Sequence, residues 1–263
     1  MPNAPTDVAL IAASAPSLTG LKAVIFDLDD TLVDARAAFE IAIDQSFRAL
    51  YETITDEQSA LALHLWRTDV AGHYRAYTRG ELAYNEQREA RLRHIAAELG
   101  LPAPTDAQVH TWVATWDAGF RAGWAAFPDV APTLGWVEER GLATGVLTNA
   151  HADLQLEKMS ATGLGQLPLL VTLDTFGVGK PDPRVFQEAA RKLEVEPAEA
   201  LYIGDEFDVD ARAAIDAGLH GAWLRRPGHA KGGVHDADPT CAQAAGVHVL
   251  GSLAQLPQLL LQH

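Results

Sequence analysis

Three carboxylates, Asp27, Asp29 and Asp30, cluster directly after the short apolar run Leu21-Lys22-Ala23-Val24-Ile25-Phe26. Charges this close repel one another, and a protein tolerates them where a cation or hydrogen bonds compensate. Thr148, Lys180 and Asp205 recur further along, after Leu147, Gly179 and Gly204. Together they offer a nucleophilic carboxylate, a second carboxylate to move a proton, a hydroxyl, a permanent cation and an acid able to hold a metal. That is an inventory for phosphoryl transfer. Each residue also has an ordinary reading: solvated turn acids, a helix cap at Thr148-Asn149, a surface lysine. Taken one at a time, the helix cap and the surface lysine remain the ordinary readings of Thr148-Asn149 and Lys180; a match to a shared set of motifs reverses them.

The runs read as buried parallel strands over 21–26, 143–147, 169–172, 200–203, 222–224 and 247–250, too short for helices and mostly apolar. Helical spacing separates them over about 131–140, 152–162, 183–193, 208–217 and 252–261. Strand and helix in alternation predict an α/β fold with a doubly wound parallel sheet, and such sheets bind ligands beyond the carboxyl ends of their strands. Residues 34–126 differ, with helical spacing over 36–51, 56–78, 83–99 and 105–122 and no strand-like run. They predict an inserted all-helical cap domain. The core domain then comprises 21–33 and 127–263, preceded by a mobile tail at 1–20, and the Gly- and Pro-bearing stretch 225–246 reads as a surface loop.

Four motifs in order, DLDDT at 27–31, LTN at 147–149, GKPDPRVF at 179–186 and GDEFDVD at 204–210, resemble those of the haloacid dehalogenase superfamily of phosphohydrolases. The likeness spans Leu21 to Leu261 and includes a helical cap after the first strand. It implies that Asp27 attacks phosphorus to form an aspartyl phosphate, while Asp29 protonates the leaving oxygen and later activates water. It further implies Mg²⁺ held by Asp27, the backbone carbonyl of Asp29 and Asp205. Lys180 and Thr148 would contact phosphoryl oxygens, helped by the Asn149 and Leu28 amides, with Asp210 orienting Lys180 or a metal-bound water.

The stretches 77–88 and 147–155 look similar to the family's nucleoside monophosphate phosphatases, which implies a nucleoside monophosphate substrate; sugar phosphates and phosphoglycolate are the alternatives. Arg79, Arg88 and Arg91 are the cap residues that could meet the leaving group. The rival reaction is metal-independent displacement of halide from a 2-haloacid, against which Asp29 and the acids around Asp205 argue. Asp208 and Asp210 do not form an EF-hand, since the glycine of that loop is missing. Trp66, Trp112, Trp116 and Trp124, with Tyr74 and Tyr77, read as cap core rather than a base-stacking platform. His229, His235, Cys241 and His248 lack metal-ligand spacing.

With 35 Asp plus Glu against 20 Lys plus Arg, the chain of 263 residues has a formal charge of -15. That excess opposes binding to nucleic-acid polymers or anionic membranes, and no stretch has the roughly 18 apolar residues of a membrane span. One cysteine excludes an internal disulfide. The expected setting is cytoplasmic, as a monomer or homodimer acting on a small phosphorylated metabolite.

Overall fold

The computed structural model describes residues 17–229 and 235–261, so most of the tail expected at 1–20 lies outside the described residues. Six strands form one parallel sheet: β1 (Ala23–Phe26), β2 (Ala143–Leu147), β3 (Leu169–Val171), β4 (Ala200–Gly204), β5 (His220–Leu224) and β6 (His248–Leu250). Their spatial order is β3-β2-β1-β4-β5-β6. The chain winds outward from β1 in one direction and from β4 in the other, which opens a crevice between them. Phe26 pairs with Val146 on one side and Ile203 on the other. The first residues past these three strands, Asp27, Thr148 and Asp205, therefore emerge within a residue of the same level.

Alternate strand residues feed two apolar layers. Val24 and Phe26 join Leu201 and Ile203 under α6 (Val130–Glu139), whereas Ala23 and Ile25 join Tyr202, Val185 and Phe186 on the other face.

Between β1 and α6 lie five helices: α1 (Ala35–Leu50), α2 (Asp56–Thr68), α3 (His73–Thr78), α4 (Tyr84–Glu98) and α5 (Asp106–Ala122). They enclose a core of their own, built on Phe47, Trp66, Trp112, Trp116 and Phe120. Thr55 and Thr105 start α2 and α5 with reciprocal side-chain bonds to Gln58 and Gln108. The α1 and α5 backbones nearly touch: a Cβ on Gly123 would lie 2.5 Å from Ala38 Cα, and one on Gly119 would lie 2.9 Å from Ala42 Cα. Small residues four apart on both helices allow this contact.

Two connections join the helices to the sheet, and they run side by side. Val33 and Ala126 form an antiparallel bridge, Asp34 N donates to Ala125 O at 2.9 Å, and Phe127 N donates to Leu32 O at 3.0 Å. Beside them Asp129 accepts two bonds from Arg226, at 2.8 and 2.9 Å, and further bonds from Ser252 Oγ and Leu253 N.

The rest of the chain supplies α7 (Ala152–Ala161), α8 (Leu173–Phe176), α9 (Pro183–Lys192), α10 (Ala213–Asp216), α11 (Pro239–Ala244) and α12 (Leu256–Leu261). Three expectations need correction. The helix predicted over 56–78 is two, because Asp69 turns left-handed (φ 43°) and its carboxylate accepts from Tyr74 N and Arg75 N to start α3. The surface loop predicted over 225–246 contains α11, which Asp238 caps and Pro239 begins. The helix expected from 208 begins as a π-turn over Phe207–Arg212, a widened turn of the kind found at functional sites. Among the described residues, no helix is long and apolar enough to cross a membrane.

Candidate active site

Asp27 follows β1 and is almost wholly buried. Lys180, also buried, donates from Nζ to Asp27 Oδ1 at 2.7 Å, Asp210 Oδ1 at 2.6 Å and Tyr202 Oη at 2.7 Å. All three ammonium hydrogens are thereby placed. Burial pushes the Asp27 carboxyl up to about 7; the Lys180 charge opposes that rise and Asp210 adds to it. Burial works against the Lys180 charge too, but the Asp210 and Asp27 carboxylates outweigh it and raise the ammonium above its ordinary value.

Asp210 is fixed on every side. Its Oδ2 accepts from Glu206 N at 2.9 Å, and its Oδ1 also accepts from Tyr202 Oη at 3.2 Å. Gly204 leaves the room: a Cβ there would stand 2.3 Å from Asp210 Cγ. The π-turn aims Asp210 back at the strand ends. Asp27, Asp205 and Asp210 each present a carboxylate oxygen, all within 4.8 Å of one another. Three hard anionic donors converging in this way suit Mg²⁺, which prefers oxygen and retains waters.

Asp29 is drawn elsewhere. Lys158 Nζ donates to Asp29 Oδ1 at 2.5 Å, and Gln155 Nε2 donates to Asp29 Oδ2 at 3.0 Å. Gln155 Nε2 also donates to Thr148 Oγ1 at 3.0 Å. Because the Thr148 hydroxyl accepts that bond, its own hydrogen remains to be donated into the site. Lys158 is 1% exposed and lies beneath two rings of the helical unit, 5.1 Å from the Phe120 centroid and 5.8 Å from that of Trp124.

Asn149 works through its side chain, accepting from Lys180 N at 2.6 Å and donating to Lys180 O at 2.9 Å. It clamps the backbone of the loop that carries the lysine. Gly179 accommodates the amide, since a Cβ there would lie 2.2 Å from Asn149 Oδ1.

Sequence reasoning missed Gln155, Lys158 and Tyr202. The first two stand three apart on α7, so they share the face turned toward Asp29; that spacing was the available signal. Of the cap arginines, Arg79 and Arg91 line the cleft that also holds Asp29 and Lys180, Arg79 forking onto Glu81 and Arg91 stacking at 3.5 Å on Trp66, whereas Arg88 pairs with Asp117. Tyr74 is not cap core: it lines the cleft and reaches the Asn149 carbonyl at 3.4 Å. His235 is not an isolated loop residue either. Its Nδ1 lies 3.0 Å from Asp208 and 3.2 Å from Glu206, and these carboxylates push its pKa up to about 10 against burial.

The motifs, the strand order and this carboxylate cluster agree with what comparison finds. Residues 21–218 match the haloacid dehalogenase-like hydrolase family. The chain belongs to that family. It is 35% identical to a glyceraldehyde 3-phosphate phosphatase of Methanopyrus kandleri over 210 residues, covering 78% of this chain and 84% of the relative. It is 26% identical to a ribulose-1,5-bisphosphate 5-phosphatase of Halopiger xanaduensis, over 90% and 98% of the two chains. In fold it resembles the HAD-hydrolase YfnB of Bacillus subtilis solved with magnesium, with a TM-score of 0.70 and 20% identity over 91% of this chain and 98% of that one. In this haloacid dehalogenase-like hydrolase, Asp27, Thr148 and Asp205 stand on the loops after β1, β2 and β4, and Lys180 on the loop before α9.

Proposed function

We propose that this hydrolase is a Mg²⁺-dependent phosphatase of small phosphate monoesters that works through an aspartyl phosphate on Asp27. The observation that carries the reading is the convergence of Asp27, Asp205 and Asp210, two of which, Asp27 and Asp210, also hold the Lys180 ammonium. Displacing halide from a 2-haloacid brings two negative charges together, the attacking carboxylate and that of the substrate. A phosphate dianion approaching a carboxylate brings three, all at the reacting centre, and a site that gathers acids to hold a divalent cation answers that need.

Asp27 supplies the attacking oxygen, and the buried surroundings keep water from competing with it. Mg²⁺ held by Asp27, Asp205 and the Asp29 carbonyl would keep Asp27 ionised and offset charge on the phosphoryl oxygens. Asp210 and Tyr202 set the position of Lys180, whose positive charge, beside Asp27, offsets the same oxygens through space. The free hydrogen of Thr148 Oγ1 goes to a phosphoryl oxygen. Asp29 gives a proton to the leaving oxygen, then takes one from the water that opens the aspartyl phosphate. Substrate candidates are nucleoside monophosphates, sugar phosphates and phosphoglycolate, the relatives' phosphorylated sugars supporting the second group.

The test is phosphate release from an aryl phosphate with Mg²⁺, with chelator, and in Asp27→Asn. The expected result is turnover with Mg²⁺ only, lost in the variant while its circular dichroism is retained. Turnover in chelator, or an active variant, would refute the mechanism.

A further inference from the structure

The cleft between the helices and the sheet, about 350 Å³, is lined on the sheet side by Asp29, Asn149 and Lys180. On the helix side it is lined by Trp66, Tyr74 and Arg67, among others. The arginines named above are engaged by carboxylates or rings. Arg67 differs. Among the described residues, it is the arginine whose two terminal nitrogens are both buried with no hydrogen-bond partner.

An arginine cannot escape this position by losing its proton, as a lysine can. Burial works against its charge, and the nearby Asp30, Asp205 and Asp34 carboxylates support it through space. Buried charged donors left unmade are costly, and a guanidinium fork is matched by two oxygens of one carboxylate or phosphate. In a chain of charge -15, a cation reserved at the cleft wall gives a second anionic group a place to go.

Building on the phosphatase reading, we infer that the substrate carries a second oxyanion, a carboxylate or phosphate, remote from the phosphoryl group that is transferred, and that Arg67 binds it. The scissile phosphate enters beside Lys180 and the far oxyanion closes onto the Arg67 fork. Esters with a neutral tail leave the fork unpaired. A site built to hydrogen-bond a substrate group discriminates strongly against analogues lacking that group. Nucleoside monophosphates and triose phosphates are therefore the poorer substrates, and short acid phosphates and bisphosphates the better.

The full chain with Mg²⁺ is assayed on 2-phosphoglycolate, a pentose bisphosphate, glyceraldehyde 3-phosphate and a nucleoside monophosphate. The first two distinguish a carboxylate tail from a phosphate tail. The expected kcat/KM is at least about tenfold higher for one or both of them than for the neutral-tailed pair. Arg67→Gln lowers that advantage by about tenfold or more, mainly through KM, and Arg67→Lys, which keeps the charge without the fork, falls between. If Arg67→Gln does not fold, the ratio in Arg67→Lys decides, and an unchanged ratio overturns the inference. Equal losses on both classes, or no preference in the wild type, also overturn it while leaving the phosphatase reading intact. Release from none of the esters overturns both.

Discussion

Lys158 Nζ sits 2.5 Å from Asp29 Oδ1, and Gln155 ties the other oxygen of the same carboxylate to the Thr148 hydroxyl. One helix, α7, thus holds the residue assigned to proton transfer. It joins that residue to the one assigned to the phosphoryl oxygen.

Replacing Lys158 with Met removes the cation but keeps most of the packing under Phe120. The expected outcome is a fall in kcat of about 100- to 1,000-fold, within the range of general acid–base catalysis, with little change in KM. Steady-state kinetics on an aryl phosphate checks this. A variant with wild-type kcat would show that the pair is structural only.

Adding one methyl at Gly179 is expected to harm activity more than stability. The Cβ collides with the Asn149 amide, which must move and release the Lys180 backbone. Gly179→Ala should lose at least about tenfold in kcat/KM, since small misplacements of catalytic groups are expensive, while its melting temperature shifts by a few degrees or less. Thermal melts and kinetics on the same preparation separate the two effects.

Asp129 contributes to the acid stability of the core. Burial favours its neutral form, but the Arg226 and Ser252 hydrogen bonds and the Arg226 charge outweigh burial and hold its pKa below the ordinary 3.8. A carboxyl lowered on folding stabilises the fold above its unfolded pKa and loses that contribution as pH falls through the folded one. Melting temperature should therefore drop below about pH 4, with the drop blunted in Asp129→Asn. At neutral pH that variant should be destabilised by about 3 kcal/mol, because Arg226 is left buried without its counter-charge.

Trp112 anchors the helical unit, fully buried between Phe47, Trp66 and Trp116. Trp112→Ala should cost about 3–5 kcal/mol, read in denaturant titration.

The strands and the carboxylates after them were legible in the sequence because each signal is local: an apolar run, then an acid at its end. Asp27, Thr148 and Asp205 needed only the parallel register to meet. Lys158 was hidden because a lysine on a helix ordinarily faces water; its partner lies 129 positions away. Arg67 was passed over for Arg79, Arg88 and Arg91 because choosing among cap arginines requires knowing which already have partners, and Asp117 and Glu81 do not announce themselves. The break after Asp69 was invisible to hydrophobic spacing, because two left-handed residues, Asp69 and Gly72, turn the chain between α2 and α3.

The paired connections at Leu32–Asp34 and Ala125–Phe127 decide how the two halves of the molecule are joined. Two chain segments cross-linked by hydrogen bonds form a ribbon, stiff against twist and against shear in its plane, and compliant only across its thickness. Any displacement of a helical unit hung on such a ribbon would be confined to one arc, as a door is by a strip hinge. Alignment of the helical wall over the strand ends is thus stored in the backbone at the junction.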